Sequence, residues 1–331
     1  MPYLGGKELK RVYELAQREG FALVANNFAE PNVLIGLLTA YSEAKSDLLL
    51  QISLGAAKFA GGGKPLAGLR ALSSYVRALA AEVEIGVFVN LDHITPDHIQ
   101  DFIVPALEEG LCSSVMIDAS ALPFEENVAV TRQVVELARP HGVLVEGELG
   151  VIKGVEDEIS SEEAFYTDPE EATEFVARTG VDLLAVSVGT QHGVSKGREL
   201  ALRVDLARQI AERLEAAGHP VPLVLHGASG LSGDQVRALV AAGIRKVNKD
   251  TTYQYVYAHT ACSFYLESRA GILAPEGTDF DPITFESGAG WAPNKKLFDP
   301  RVVGRKVQAA IAQVAREMLN QVGSEGRSVY A

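Results

Sequence analysis

The chain has 331 residues, of which 47 % are hydrophobic and 22 % charged, a balance that builds a sizeable core and excludes a disordered polyelectrolyte. The 43 acidic and 30 basic side chains leave a net charge of -13, which argues against a nucleic-acid or anionic-membrane surface, although a local cationic pocket or a bound metal still admits an anionic substrate. Cys112 and Cys262 form no CxxC pair and no disulfide framework, no stretch approaches about 18 uncharged apolar residues, and the N-terminus lacks a signal-type apolar region, so a cytoplasmic protein is expected.

Short β-rich runs alternate with longer helical ones along the chain. Strands are expected over about 21–26 (FALVAN), 47–53 (DLLLQIS), 85–91 (IGVFVNL), 113–118 (SSVMID), 143–148 (VLVEGE), 182–188 (DLLAVSV), 222–226 (PLVLH) and 243–248 (GIRKVN). Helical patterns follow them, among them PNVLIGLLTAYSEAK, GGKPLAGLRALSSYVRALAAE, TPDHIQDFIVPALEEG, FEENVAVTRQVVELARP, DPEEATEFVARTG and SGDQVRALVAAG. Several open with Pro, Asp or Ser and close on Gly, as helix caps require. This alternation predicts a closed parallel (β/α)8 barrel, a TIM barrel, in the α/β class. A doubly wound open sheet competes, but the turn after the first strand reads NNFAEP, without the glycine fingerprint that such folds often carry there. Residues 1–331 are expected to form a single domain. A Gly- and Pro-rich irregular stretch at about 270–300 and a final helix at about 301–320 make up a C-terminal extension. The irregular stretch reads equally as a surface excursion or as a substrate- or subunit-contact loop.

Four residues with metal-ligand chemistry fall where strands end: His93, Glu148, His192 and His226. A barrel would gather them on one rim. Imidazole nitrogens with a carboxylate suit zinc, and a catalytic site keeps one position open. A lone histidine is more often a core or surface residue, which is how His98, His141, His219 and His259 are read. Asp92, beside His93, either orients a ligand, donates a proton or caps the strand. The turns HGASG (226–230), HGVSKG (192–197) and NKDTT (248–252) place small residues and a lysine after strands and ahead of helices. Backbone amides there form an anion seat, which makes Gly227, Ser229, Lys196, Asp250 and Thr251 phosphate-binding candidates.

These residues resemble the class II, metal-dependent fructose-bisphosphate aldolase family. The matching pieces run in order through nearly the whole chain: LDH (91–93), EGELG (146–150), GVED (154–157), QHGVSKG (191–197), LHGASG (225–230), NKDTT (248–252) and NKKLFDPR (294–301). The resemblance implies zinc held by His93, His192 and His226, with Glu148 as a carboxylate the ion visits. It implies that Asp92 exchanges a proton with the C4 hydroxyl, that Glu156 removes the C3 proton of dihydroxyacetone phosphate, and that Asn248 holds the enediolate. Gly227, Ser229, Lys196 and Thr251 would hold the C1 phosphate, and Asp250 would contact substrate hydroxyls. Asn27 and Ser53 match positions near the substrate. Arg301 matches an arginine that reaches the far phosphate, usually from the other subunit of a homodimer or homotetramer. A monovalent cation, Na or K, would bind near Gly193 and Gly227.

The expected reaction is reversible cleavage of fructose 1,6-bisphosphate to dihydroxyacetone phosphate and glyceraldehyde 3-phosphate, with small-molecule sugar phosphates as partners and neither nucleic acid nor membrane. Three departures from the family pattern bear on substrate preference: Lys153 where a glycine is frequent, Ser195 in place of an aromatic residue, and Thr252 in place of an acid. Tagatose, sedoheptulose or modified sugar phosphates are the alternatives within the class. Outside it stand a Schiff-base aldolase using Lys246, a zinc hydrolase and a non-catalytic zinc-binding barrel.

Overall fold

The computed structural model describes residues 3–150, 154–156, 159–161, 166–191, 201–287 and 290–331. Its strands, in chain order, are β1 (Leu23–Asn27), β2 (Leu48–Ser53), β3 (Val87–Ile94), β4 (Ser114–Ile117), β5 (Leu144–Leu149), β6 (Gly154–Glu156), β7 (Ile159–Ser161), β8 (Leu183–Val186), β9 (Leu223–Leu225) and β10 (Ile244–Lys249). Among the described residues β6 and β7 form an antiparallel hairpin. The other eight strands close a parallel barrel in the order β1-β10-β9-β8-β5-β4-β3-β2. Closure is visible at β1, where Ala25 pairs with Leu49 on one side and with Asn248 on the other. Each expected strand is present within a few residues of its expected bounds, and the fold is a TIM barrel with helices around it.

The chemistry of the inner wall changes along the strands. Outward residues such as Val24, Leu50 and Val89 join the helices in the main core. Inward residues at the strand starts, Leu23, Leu49, Phe88, Leu144 and Leu183, pack on Leu9, Val12, Tyr13 and Ala16 of the helix Gly6–Glu19, which closes the lower end. Two residues further on, β2, β3 and β5 carry Gln51, Asn90 and Glu146, which Lys246 of β10 joins, all buried. Period-two alternation therefore builds an apolar floor beneath a polar upper interior. The C-terminus braces the floor: Asp47 accepts from Gly86 N at 2.8 Å, Ser328 Oγ at 2.6 Å and Val329 N at 2.8 Å.

Two helical segments differ from expectation. TPDHIQDFIVPALEEG is a 3-10 turn (Pro96–His98), a π turn (Ile99–Ile103) and a short α-helix (Val104–Glu108) rather than one helix. Pro105 lacks an amide proton and crowds the carbonyl four residues back, which breaks the regular ladder there. A short helix, Leu54–Ala60, also precedes Pro65–Ala80. The final helix, Pro300–Val322, packs on Pro31–Ala44 so closely that a Cβ on Gly36 would lie 2.7 Å from the Gln308 carbonyl oxygen. Between β10 and that helix come Thr251–Glu267 and a largely irregular stretch in which Phe280 and Trp291 meet edge to face at 5.0 Å. Among the described residues no helix is long and apolar enough to cross a membrane.

Candidate metal centre and active site

Strict alternation would send Asp92 and His93 to opposite faces of β3. The β3–β4 register slips between Leu91 and Ile94, and His93 takes a left-handed φ of 49°. The irregularity turns both side chains toward the barrel mouth, where the ligand atoms of Asp92, His93 and His226 lie within 4.8 Å of one another. A left-handed non-glycine residue costs roughly 1–2 kcal/mol, and such strain is concentrated at functional sites. A second set within the same limit joins His93 to Asp118 and Glu148. The rings of His93 and His226 meet edge to face at 4.6 Å.

Carboxylates orient both imidazoles. His93 Nδ1 lies 3.1 Å from Asp118 Oδ2, and His226 Nε2 lies 2.8 Å from Glu146 Oε1. The other oxygen of Glu146 accepts from Lys246 Nζ at 2.6 Å. Burial pushes Glu146 upward, but Lys246 and then His226 outweigh it and hold the carboxyl at about 2. Burial likewise opposes ionisation of Asp118, yet His93 and Ser120 keep it below the usual range. Burial, then the charge of His93, lowers His226 and favours its neutral, metal-binding form. Burial and the neighbouring Asp118 raise Glu148 well above the usual carboxylate range. Its Oε2 is buried without a hydrogen-bond partner among the described residues. Two oriented imidazoles beside an unsatisfied buried carboxylate suit a divalent cation that accepts nitrogen and oxygen ligands.

Asn248 and Asn27 converge on Asp92. Asn27 Nδ2 donates to Asp92 Oδ2 at 2.8 Å, and Asn248 Nδ2 lies 3.3 Å from Asp92 Oδ1 and 3.1 Å from His226 Nδ1. A cleft of about 490 Å³ opens beside them, lined in part by Asn27, Ser53 and Asp250. Ser53 also caps the helix Leu54–Ala60, its Oγ accepting from Ala56 N at 3.1 Å.

The turns after β9 and β10 lie side by side, because buried Lys249 Nζ donates to the Ala228 carbonyl at 2.8 Å. Gly227 has φ 62°, and a Cβ there would lie 2.7 Å from the Gln191 carbonyl oxygen, so the turn requires glycine. Ser229 is half-buried in the same turn. Asp250 and Thr251 open the helix Thr251–Glu267, and Asp250 Oδ2 accepts from Gln254 Nε2 at 2.8 Å.

The fold thus gathers Asp92, His93, Glu148, His226, Asn248 and Asn27, with Ser53 and Asp250 at the adjoining cleft. It leaves Arg301 on the surface of its own chain, paired with Asp299 at 2.6 Å. His192, Gly193, Lys196 and the Lys153 and Ser195 departures lie outside the described residues, as does the side chain of Glu156, whose backbone ends β6. Sequence reasoning missed Asp118, Glu146 and Lys249. Glu146 shares the parity of Glu148 two residues on, and Asp118 immediately follows β4, so both carried a positional signal.

The model of the family described as Fructose-bisphosphate aldolase class-II matches residues 7–327. The chain is 34 % identical over 338 residues to the fructose-bisphosphate aldolase of Thermus caldophilus, covering 95 % of this chain and 96 % of that one. It is also 34 % identical over 314 residues to the D-tagatose-1,6-bisphosphate aldolase subunit GatY of Klebsiella oxytoca, covering 94 % and 95 %. Among solved structures it is similar to a fructose-bisphosphate aldolase from Campylobacter jejuni, with TM-score 0.83, 26 % identity, and 98 % and 97 % of the two chains covered.

Proposed function

The chain belongs to the class II fructose-bisphosphate aldolase family, whose members are generally zinc-dependent carbon–carbon lyases of carbohydrate metabolism, and we propose that its substrate is fructose 1,6-bisphosphate, cleaved reversibly to dihydroxyacetone phosphate and glyceraldehyde 3-phosphate. The observation that carries this reading is the meeting of two metal-competent sets that share His93, one with Asp92 and His226 and the other with Asp118 and Glu148, beside a cleft lined by Asn27, the hydrogen-bond partner of Asp92.

Cleavage beside a carbonyl leaves negative charge that must be spread onto oxygen. His93, His226 and His192 would hold a zinc ion, with Glu148 in reserve, and the bound ion would supply electrophilic stabilisation of that charge. The remaining work falls to the chain's own groups. Asp92, steadied by Asn27 and Asn248, takes the proton from the C4 hydroxyl as the C3–C4 bond breaks. The amide of Asn248, already turned toward this space, donates to the oxygen on which charge develops. Glu156, on the hairpin after β5, exchanges the C3 proton of dihydroxyacetone phosphate. Backbone amides of the Gly227–Ser229 and Asp250–Thr251 turns, joined by Lys196, receive the C1 phosphate, and Gly193 and Gly227 would hold a monovalent cation. Ser53 and Asp250 face the substrate across the cleft.

Arg301 is exposed and paired with Asp299 rather than among the residues lining its own cleft, and we assign it to the far phosphate in a second copy of the chain, which makes the working unit a homodimer or homotetramer of single-domain subunits in the cytoplasm. The likeness to the Klebsiella tagatose-bisphosphate subunit supports a second reading, the C4 epimer. Parallel measurement of kcat/KM on fructose and tagatose 1,6-bisphosphate separates the two. A higher value on the fructose substrate is expected, and the reverse order would transfer the assignment to tagatose.

A further inference from the structure

Four polar side chains sit at one level of the barrel wall on four neighbouring strands. Asn27 is in register with Gln51, Gln51 with Asn90, and Asn90 with Ser114. All four are buried, Gln51 and Asn90 completely. Their hydrogen bonds run in one direction. Ser114 Oγ donates to Asn90 Oδ1 at 2.7 Å, and Asn90 Nδ2 donates to Gln51 Oε1 at 3.0 Å. Gln51 Nε2 donates to Asn27 Oδ1 at 2.7 Å, and Asn27 Nδ2 donates to Asp92 Oδ2 at 2.8 Å.

The direction is dictated by the last acceptor. A carboxylate oxygen accepts, and Asn27 presents its NH2 group to Asp92. Its carbonyl oxygen then needs a donor, which fixes the orientation of Gln51, and through Gln51 that of Asn90. Such a chain strengthens each of its bonds and penalises any flipped member, because a reversed amide leaves two like groups facing each other in a dry interior. One strand step below, the barrel is filled by apolar Ala25, Leu49 and Phe88, so space-filling alone does not call for amides at this level.

We propose that Gln51, Asn90 and Ser114 are positioning residues that act through Asn27: the belt holds one oxygen of Asp92 and leaves the other aimed at Asn248 and the substrate hydroxyl. None of the three lines the described cleft. The inference rests on the proposed role of Asp92 at the C4 hydroxyl.

The test separates two partial reactions. In Gln51→Met, kcat for ketose bisphosphate cleavage falls about 10–100-fold, the scale of a small misplacement of a reacting group. KM and zinc stoichiometry stay within about twofold, on the same argument that Gln51 touches neither ligand. Exchange of the C3 proton of dihydroxyacetone phosphate with solvent, which does not use Asp92, also keeps its rate. Ser114→Ala, which removes one hydroxyl, shifts the same ratio in the same direction by a smaller factor and keeps the test available if Gln51→Met does not fold. Equal losses in cleavage and exchange, or undiminished cleavage, overturn the proposal. A crystal structure of each variant gives a readout independent of substrate: the proposal requires Asp92 to leave its position against Asn27, and an unmoved Asp92 refutes it even if the proposed substrate proves wrong.

Discussion

Lys246 and Glu146, 100 residues apart, meet in the barrel interior with 2.6 Å between Nζ and Oε2, each side chain only 1 % exposed. The other oxygen of Glu146 holds His226. The lysine that a Schiff-base mechanism would use is therefore committed to a carboxylate that orients a proposed metal ligand, and the chain's place in the class II family points the same way.

This pair makes a stability prediction. Lys246→Met strands a buried carboxylate, and Glu146→Gln strands a buried ammonium, so each should cost about 3–5 kcal/mol. The double variant should lose clearly less than the sum, because neither charge is then left alone. Urea unfolding of the four proteins measures the coupling, and strictly additive losses would show that the contact is energetically idle.

His226→Ala should fold yet lose stoichiometric zinc, since the remaining groups no longer close around an ion. Metal analysis after gel filtration, alongside circular dichroism, gives the answer. Full zinc content with normal turnover would remove His226 from the ligand set.

Glu156→Ala should retain zinc while turnover drops roughly 10²–10⁴-fold, the usual range for loss of a positioned acid–base group. Steady-state kinetics at matched metal content tests this. Unchanged turnover would exclude Glu156 as the base.

Gly227→Ala forces a left-handed φ on a residue with a Cβ, at about 1–2 kcal/mol, and drives that carbon against the Gln191 carbonyl. We expect a lowered melting temperature together with a raised KM for every C1-phosphorylated ketose. A wild-type KM would take the turn after β9 out of phosphate binding.

Arg301→Ala should raise KM for ketose bisphosphates far more than for C1-monophosphates. Equal effects on both would argue against a contact with the far phosphate.

The barrel was legible in the sequence because parallel strands buried on both faces leave unmistakable apolar runs, such as DLLLQIS and DLLAVSV. The ends of those runs also marked His93, Glu148 and His226. Less legible was whatever depends on register. The slip between Leu91 and Ile94 decides that Asp92 and His93 share a face, yet it leaves no mark in composition. The belt from Ser114 to Asn27 spans four strands, so no single segment reveals it. Lys246 read only as a candidate Schiff-base lysine and Glu146 carried no reading of its own; only the closure of the barrel brings them together. The segment around Pro105 reads as a single helical pattern, and nothing in that periodicity marks the π turn at Ile99–Ile103.

The most direct test of the account is release of dihydroxyacetone phosphate from fructose 1,6-bisphosphate by the purified protein, before EDTA, after EDTA and after zinc is restored. The account predicts cleavage that EDTA abolishes and zinc recovers. Cleavage indifferent to EDTA, or none from folded, zinc-loaded protein, would contradict it.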